Sequence, residues 1–166
     1  MDPITQFKQE RAADIAAMAG DEALKQKSLD WMLHADKYKY TYNYTWLGRP
    51  IIKFPSDIVA TQQIVWDVKP DLIIETGIAH GGSLILSASL LEMIGGQGRV
   101  LGIDIDIREH NRKEIEAHPM MKRIDMIEGS SVADDVMARV RAAAAKAKCV
   151  MVFLDSLHTH DHVLKE

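Results

Sequence analysis

Four short apolar runs, Leu72 to Glu75, Val100 to Asp104, Ile124 to Glu128 and Val150 to Asp155, each separated from the next by helical spacing, constrain this chain more than any other feature. Runs of this length read as buried strands, and the intervening stretches, Gly82 to Ile94, Ile107 to Ala117 and Val132 to Ala147, are long enough for helices. Strand and helix alternating in this way pack as an α/β fold, a parallel sheet with right-handed crossovers. The last helix carries its own boundary signals. Ser131 and Asp134 form a capping-box pattern, Val132, Val136 and Val140 share a face, and Lys146 and Lys148 suit the negative end of the helix dipole.

Ahead of this repeat lies a different kind of sequence. Residues 4 to 37 have helical spacing broken near Gly20-Asp21, which predicts two short helices. The aromatic stretch from Tyr38 to Pro50 reads either as an extended arm or lid, or as packing of the N-terminal segment onto the domain. Pro55-Ser56-Asp57 starts a further helix that Lys69-Pro70-Asp71 stops. The expected organisation is an N-terminal helical segment with its aromatic arm over residues 1–54 and a ligand-binding domain over residues 55–166.

With 47% hydrophobic residues the chain can build a core, and a formal net charge of −4 argues against binding nucleic acid through a general positive field. The single cysteine, Cys149, lies inside an apolar run, so it reads as a small buried hydrophobe and fits a reducing, cytoplasmic setting. Neither a membrane span nor a secretory signal is expected.

The first strand ends in Glu75-Thr76-Gly77-Ile78-Ala79-His80-Gly81-Gly82-Ser83 and runs straight into a helix. Glycine at such a turn tolerates positive φ and lets a ligand approach the backbone. The spacing here is G-x-x-x-G-G, whereas dinucleotide sites use G-x-G-x-x-G to seat a pyrophosphate. That difference counts against a nicotinamide-dependent oxidoreductase and favours S-adenosylmethionine, whose amino-acid moiety has no phosphate. Glu75 would lie near its ammonium group. A glycine turn used only for tight strand-to-helix packing is the structural alternative.

The second strand ends in Gly102-Ile103-Asp104-Ile105-Asp106, where a carboxylate can accept hydrogen bonds from both ribose hydroxyls; Asp104 is the candidate and Asp106 reads as a solvated cap. The third closes with Glu128-Gly129-Ser130-Ser131, beside the expected adenine position, although Ser131 can equally be a helix N-cap. After the fourth come Asp155-Ser156-Leu157-His158-Thr159-His160-Asp161-His162. Asp155 is placed to hold a hard cation such as Mg²⁺, and a histidine at position 158 can take a proton from a hydroxyl. A zinc hydrolase reading fails on the spacing of the histidines and on the strand-helix alternation.

From Tyr38 to the C-terminus the chain resembles the cephalosporin hydroxylase and rhamnosyl O-methyltransferase family, class I S-adenosylmethionine-dependent enzymes. The resemblance lies in Trp46-Leu47-Gly48-Arg49-Pro50, in the Glu75 to Ser83 motif, in Gly102 to Arg108, and in Leu154 to His160. It implies a Rossmann-like sheet with strands in the order 3-2-1-4. It also implies cofactor contacts from Gly77, Ala79, Gly81, Ser83 and Asp104, with Glu75, His80, Ser130 and Ser131 in the same site. Asp155 would be a metal ligand and His158 the catalytic base. Position 157 is Leu157 where the family pattern has a polar residue.

Class I sheets carry further strands after the fourth, with more acidic metal ligands, and this sequence stops at Glu166, so the C-terminal half is expected to be missing. The expected activity is methylation of a hydroxyl on a sugar or other natural product, a small-molecule acceptor, with Mg²⁺ assisting. The alternative is a truncated cofactor-binding or assembly module without turnover. The fourth strand lacks an outer neighbour, so it is expected to be covered by the N-terminal segment or by self-association into a homo-oligomer.

Overall fold

Two helices open the chain, α1 (Pro3–Gly20) and α2 (Glu22–Asp36). Each begins where an aspartate can cap it: Asp2 accepts from the Thr5 N–H, and Asp21 from the Leu24 N–H. The computed structural model describes residues 1–166, which divide into two units, Met1–Tyr40 and Thr41–Glu166. No helix is long and apolar enough to cross a membrane.

The second unit begins within the aromatic stretch, at Thr41, and from Tyr44 onward this is a folded hairpin and not the extended arm or lid expected. Strands β1 (Tyr44–Trp46) and β2 (Arg49–Ile51) pair antiparallel across Leu47-Gly48. Both turn residues have positive φ, as a two-residue primed turn requires, so Gly48 relieves half of the strain. The hairpin packs on the domain: Ile51 is buried in the core, and Trp46 Nε1 donates to Ser89 Oγ at 3.0 Å.

Helix α3 (Pro55–Val68) follows, with Pro at its first turn and Lys69 in the left-handed conformation at its end. The parallel sheet comes next: β3 (Leu72–Thr76), α4 (Gly82–Ile94), β4 (Arg99–Asp104), α5 (Glu109–Glu116), β5 (Ile124–Glu128), α6 (Asp134–Ala144) and β6 (Val150–Leu154). A last turn of helix, α7 (His160–Val163), lies beyond β6. The sheet order is β5-β4-β3-β6, all parallel, which is the 3-2-1-4 order expected from the sequence. The Asp71 carboxylate helps fix the register by accepting from the backbone N–H groups of Lys148 and Cys149 at the head of β6.

Side chains alternate across the sheet and so build two cores. Ile73 and Val100 point to the α4 side with Leu84, Ile85, Ile115 and Ile124, while Leu72, Ile74, Leu101 and Ile103 point to the α6 side with Ile127 and Val136. Helix α4 is buried around most of its circumference because it lies between the sheet, the hairpin and α3, and this explains its nearly unbroken apolar sequence.

Three details differ from the sequence reading. Helix α5 starts at Glu109 and not at Ile107, since the Ile107 side chain is buried in the core before the helix begins. Helix α6 starts at Asp134, with Ala133 at its N-cap and no side-chain cap; the Ser131 hydroxyl is engaged elsewhere. On β6, Val150, Val152 and Leu154 are exposed, so the cover expected for this edge is not supplied by the rest of the second unit.

Candidate functional site

The C-terminal ends of β3, β4, β5 and β6 open into one cavity of about 610 Å³. Ligands in open α/β sheets bind at this edge, at the point where the strand order reverses, here between β3 and its neighbours β4 and β6. The cavity is bounded by the turn after β3, the end of β4, the Gly129–Ser131 segment after β5, the Asp155–His158 segment after β6, and the hairpin exit at Pro50, Ile52 and Lys53.

The turn after β3 is shaped by unusual backbone angles. Gly77 has φ +89° and Gly81 φ +83°, and between them Ala79, a residue with a side chain, is held at φ +47°. A Cβ on Gly77 would lie 2.2 Å from the backbone oxygen of Asp155, so the turn and the end of β6 approach more closely than any side chain allows. The turn is also gripped from outside. Asp104 Oδ2 accepts from the N–H groups of Ile78, at 2.7 Å, and Ala79, at 3.2 Å. Asn111 Nδ2 donates to the Ala79 carbonyl at 3.0 Å, and Arg49 donates to the His80 carbonyl from Nη2 at 2.8 Å and from Nε at 3.1 Å.

Of the residues singled out in the sequence, Gly77, Ala79, His80, Ser83, Asp104, Ser130, Ser131, Asp155 and His158 line this cavity together. Glu75 and Gly81 do not. Gly81 faces Ile115 and caps α4. Glu75, 2% exposed, lies beneath the wall and accepts a hydrogen bond from Ser83 Oγ. Burial pushes the Glu75 carboxyl up to about 7, further raised by Asp155 and opposed by the Ser83 hydroxyl and the Lys53 ammonium. Asp104 has a second task besides any ligand: its carboxylate staples β4 to the turn after β3, with Oδ1 accepting from the Asp106 N–H at 3.2 Å.

On the opposite wall, Asp155 accepts from Lys53 Nζ at 3.0 Å through Oδ2, and its Oδ1 lies 3.1 Å from His158 Nε2. Lys53 thus presents a cation to the carboxylate, and the carboxylate orients the imidazole. Ser131 bonds to Glu166 and lies 3.3 Å from His162 Nε2, while Ser156 donates to the same Glu166 oxygen at 2.7 Å. Burial pushes the Glu166 carboxyl up, but the hydroxyls of Ser131 and Ser156 outweigh it and leave the group lowered. Sequence reasoning gave no role to Lys53, Arg49, Asn111 or Glu166. Arg49 stood in a quoted motif, yet nothing in that motif points to its partner in the turn.

The volume and donor set fit a nucleoside-sized ligand: a polar turn with a carboxylate at the end of the second strand on one side, and apolar Ile52 and Leu157 on the other. For a divalent cation, Asp155 offers one carboxylate in the cavity wall, and its oxygens already face the Lys53 ammonium and the His158 ring. No group of three histidine, cysteine, aspartate or glutamate side chains gathers in these residues to hold a metal ion.

The family described as Rhamnosyl O-methyltransferase/CmcI matches residues 38–166. A rhamnosyl O-methyltransferase of Mycobacterium leprae is 30% identical over 123 residues, covering 74% of this chain and 52% of that protein. The rhamnosyl O-methyltransferase of Mycobacterium tuberculosis is 29% identical over 126 residues, covering 74% of this chain and 49% of that protein. The solved Mg-SAM form of CmcI shares the fold, with a TM-score of 0.58 and 22% identity over 75% of this chain and 50% of that one. The chain spans about half the length of the curated relatives it matches. Matched over residues 38–166, hairpin and sheet together, the chain belongs to the Rhamnosyl O-methyltransferase/CmcI family.

Proposed function

We propose that this chain carries the cofactor half of an S-adenosylmethionine-dependent O-methyltransferase that acts on a hydroxyl of a sugar or other natural product. One observation carries the reading: the turn after β3 with Asp104, and the Asp155–His158 pair, face a single cavity of about 610 Å³. When bound, S-adenosylmethionine supplies the sulfonium methyl, and Mg²⁺ at Asp155 supplies polarisation of the acceptor hydroxyl. The chain's own residues do the rest. Gly77, Ala79 and Ser83 seat the amino-acid end, Asp104 accepts from a ribose hydroxyl on the lone pair of Oδ1 that its three backbone N–H partners leave free, and Ser130 and Ser131 flank the base. Asp155 holds His158 in orientation through the 3.1 Å contact, and His158 accepts the acceptor's proton as the methyl is transferred.

The test is calorimetric titration of the 166-residue chain with S-adenosylmethionine, followed by a methyl-transfer assay against hydroxylated sugars. Binding is expected, and its absence rejects the reading. In any form that turns over, His158→Ala is expected to cost about 10²–10⁴-fold in rate with cofactor affinity nearly unchanged. Loss of binding in that variant would remove His158 from the role of base. A second reading is a binding or assembly module without turnover. It is distinguished by cofactor binding without methyl transfer.

A further inference from the structure

Resting on the S-adenosylmethionine reading above, we infer that Arg49 and Asn111 are positioning residues for the cofactor: they latch the Ala79–His80 turn into the shape that lines the cavity. The turn is costly to hold, because three of the five residues from Gly77 to Gly81 have positive φ and one of them is Ala79. Its polar groups are held by three side chains from three different elements. Asp104, at the end of β4, takes the N–H groups of Ile78 and Ala79. Asn111, on α5, takes the Ala79 carbonyl, and Arg49, on β2, takes the His80 carbonyl with two donors.

Arg49 and Asn111 also hold each other. Arg49 Nη2 donates to Asn111 Oδ1 at 3.2 Å, and the same oxygen lies 3.3 Å from His80 Nδ1. Glu114 supplies Arg49 with a counter-charge at 3.5 Å. Asn111 is 4% exposed, so its amide cannot exchange these partners for water. Neither residue lines the cavity, although the two residues they hold, Ala79 and His80, both do. They therefore act through the turn and touch no ligand. A planar guanidinium suits this task because it can give two donors to one carbonyl and a third to a neighbouring amide.

The experiment titrates the full 166-residue chain with S-adenosylhomocysteine by calorimetry and follows amide hydrogen exchange, comparing wild type with Arg49→Met, Arg49→Lys and Asn111→Ala. Arg49→Met and Asn111→Ala are each expected to weaken binding by about tenfold or more, the scale of losing charge-assisted or buried hydrogen bonds. Exchange at residues 79–81 should quicken while β3 and β4 stay protected. Arg49→Lys, which keeps the charge and one donor, should recover part of the affinity. Unchanged affinity in either folded variant overturns the inference, as does weakened binding accompanied by an equal loss of protection in β3 and β4, which would mark the pair as general scaffolding. A wild-type chain that does not bind S-adenosylhomocysteine overturns the cofactor reading and the latch with it. A wild type that binds, with variants that bind equally well, overturns the latch alone.

Discussion

Burial pushes the Glu75 carboxyl up to about 7, well above its ordinary value of 4.5, even though Ser83 and Lys53 both favour its ionised form. The neutral acid is the form that the fold prefers. Its contribution to stability is therefore fully present below pH 4.5 and is lost as the pH rises through about 7. The shift corresponds to roughly 3 kcal/mol. Asp71, Glu92 and Glu166 run the other way, since their carboxyls are lowered and their contributions are lost on acidification. The clean observable is thus a difference between variants. Urea unfolding of Glu75→Gln against wild type should show little gain at pH 4.5 and a gain growing toward roughly 3 kcal/mol by pH 8. A difference that stays flat over this range would mean that Glu75 titrates in the folded protein as it does in the unfolded chain. At this scale the sequence was informative about which residues gather at strand ends, since Asp104, Asp155 and His158 line the cavity where parallel strands stop, whereas Glu75 lies beneath its wall. It was silent about Lys53, whose partner Asp155 is 102 residues away, and about Arg49 and Asn111, 62 residues apart, because only packing brings such pairs together.

Close approach between elements sets the shape of the cavity, and glycine records it. Gly48 and Gly77 have nearly the same φ, +87° and +89°, but nothing lies within 4 Å of a Cβ at Gly48, while one at Gly77 would meet the Asp155 backbone oxygen at 2.2 Å. Gly48→Ala should therefore cost only the left-handed backbone term, about 1–2 kcal/mol. Gly77→Ala carries the same term and must also force the end of β6 away from β3, so its cost should exceed that of Gly48→Ala by about 1–3 kcal/mol. Paired denaturant titrations measure the difference, and equal costs would show that β6 can yield without strain. The parallel strands were legible in the sequence because each is short, apolar and bracketed by helical spacing. The hairpin was not, because its strands of three residues are too short to show alternation and its anchor, Ser89, lies 43 residues from Trp46. The start of α6 was misplaced for a related reason. Ser131 has the chemistry of an N-cap, but the hydroxyl is drawn toward Glu166 across the sheet, and tertiary contact overrides the local signal.

At the largest scale, the feature not balanced within the unit Thr41–Glu166 is the α6-side face of β6. Met151 and Phe153 pack toward the α4 core, whereas Val150, Val152 and Leu154 alternate with them on the other face, with Val152 51% exposed. The strand pairs only with β3, so its outer backbone groups also lie along an edge. An apolar strand with a free edge is a template for pairing with another strand, and charge placed on it is the usual deterrent. The physical expectation is that the 166-residue chain, taken alone, self-associates through β6. Sedimentation velocity over a hundredfold range of concentration should show a shift to larger species for wild type. Val152→Lys should hold the chain monomeric at the same concentrations, because two copies brought edge to edge would bury like charges. The substitution lies on an exposed position, so its cost in stability should stay within about 0.5 kcal/mol. A wild-type chain that remains monomeric throughout would show that the exposed valines are tolerated as they stand, and association that survives Val152→Lys would move the contact to another surface.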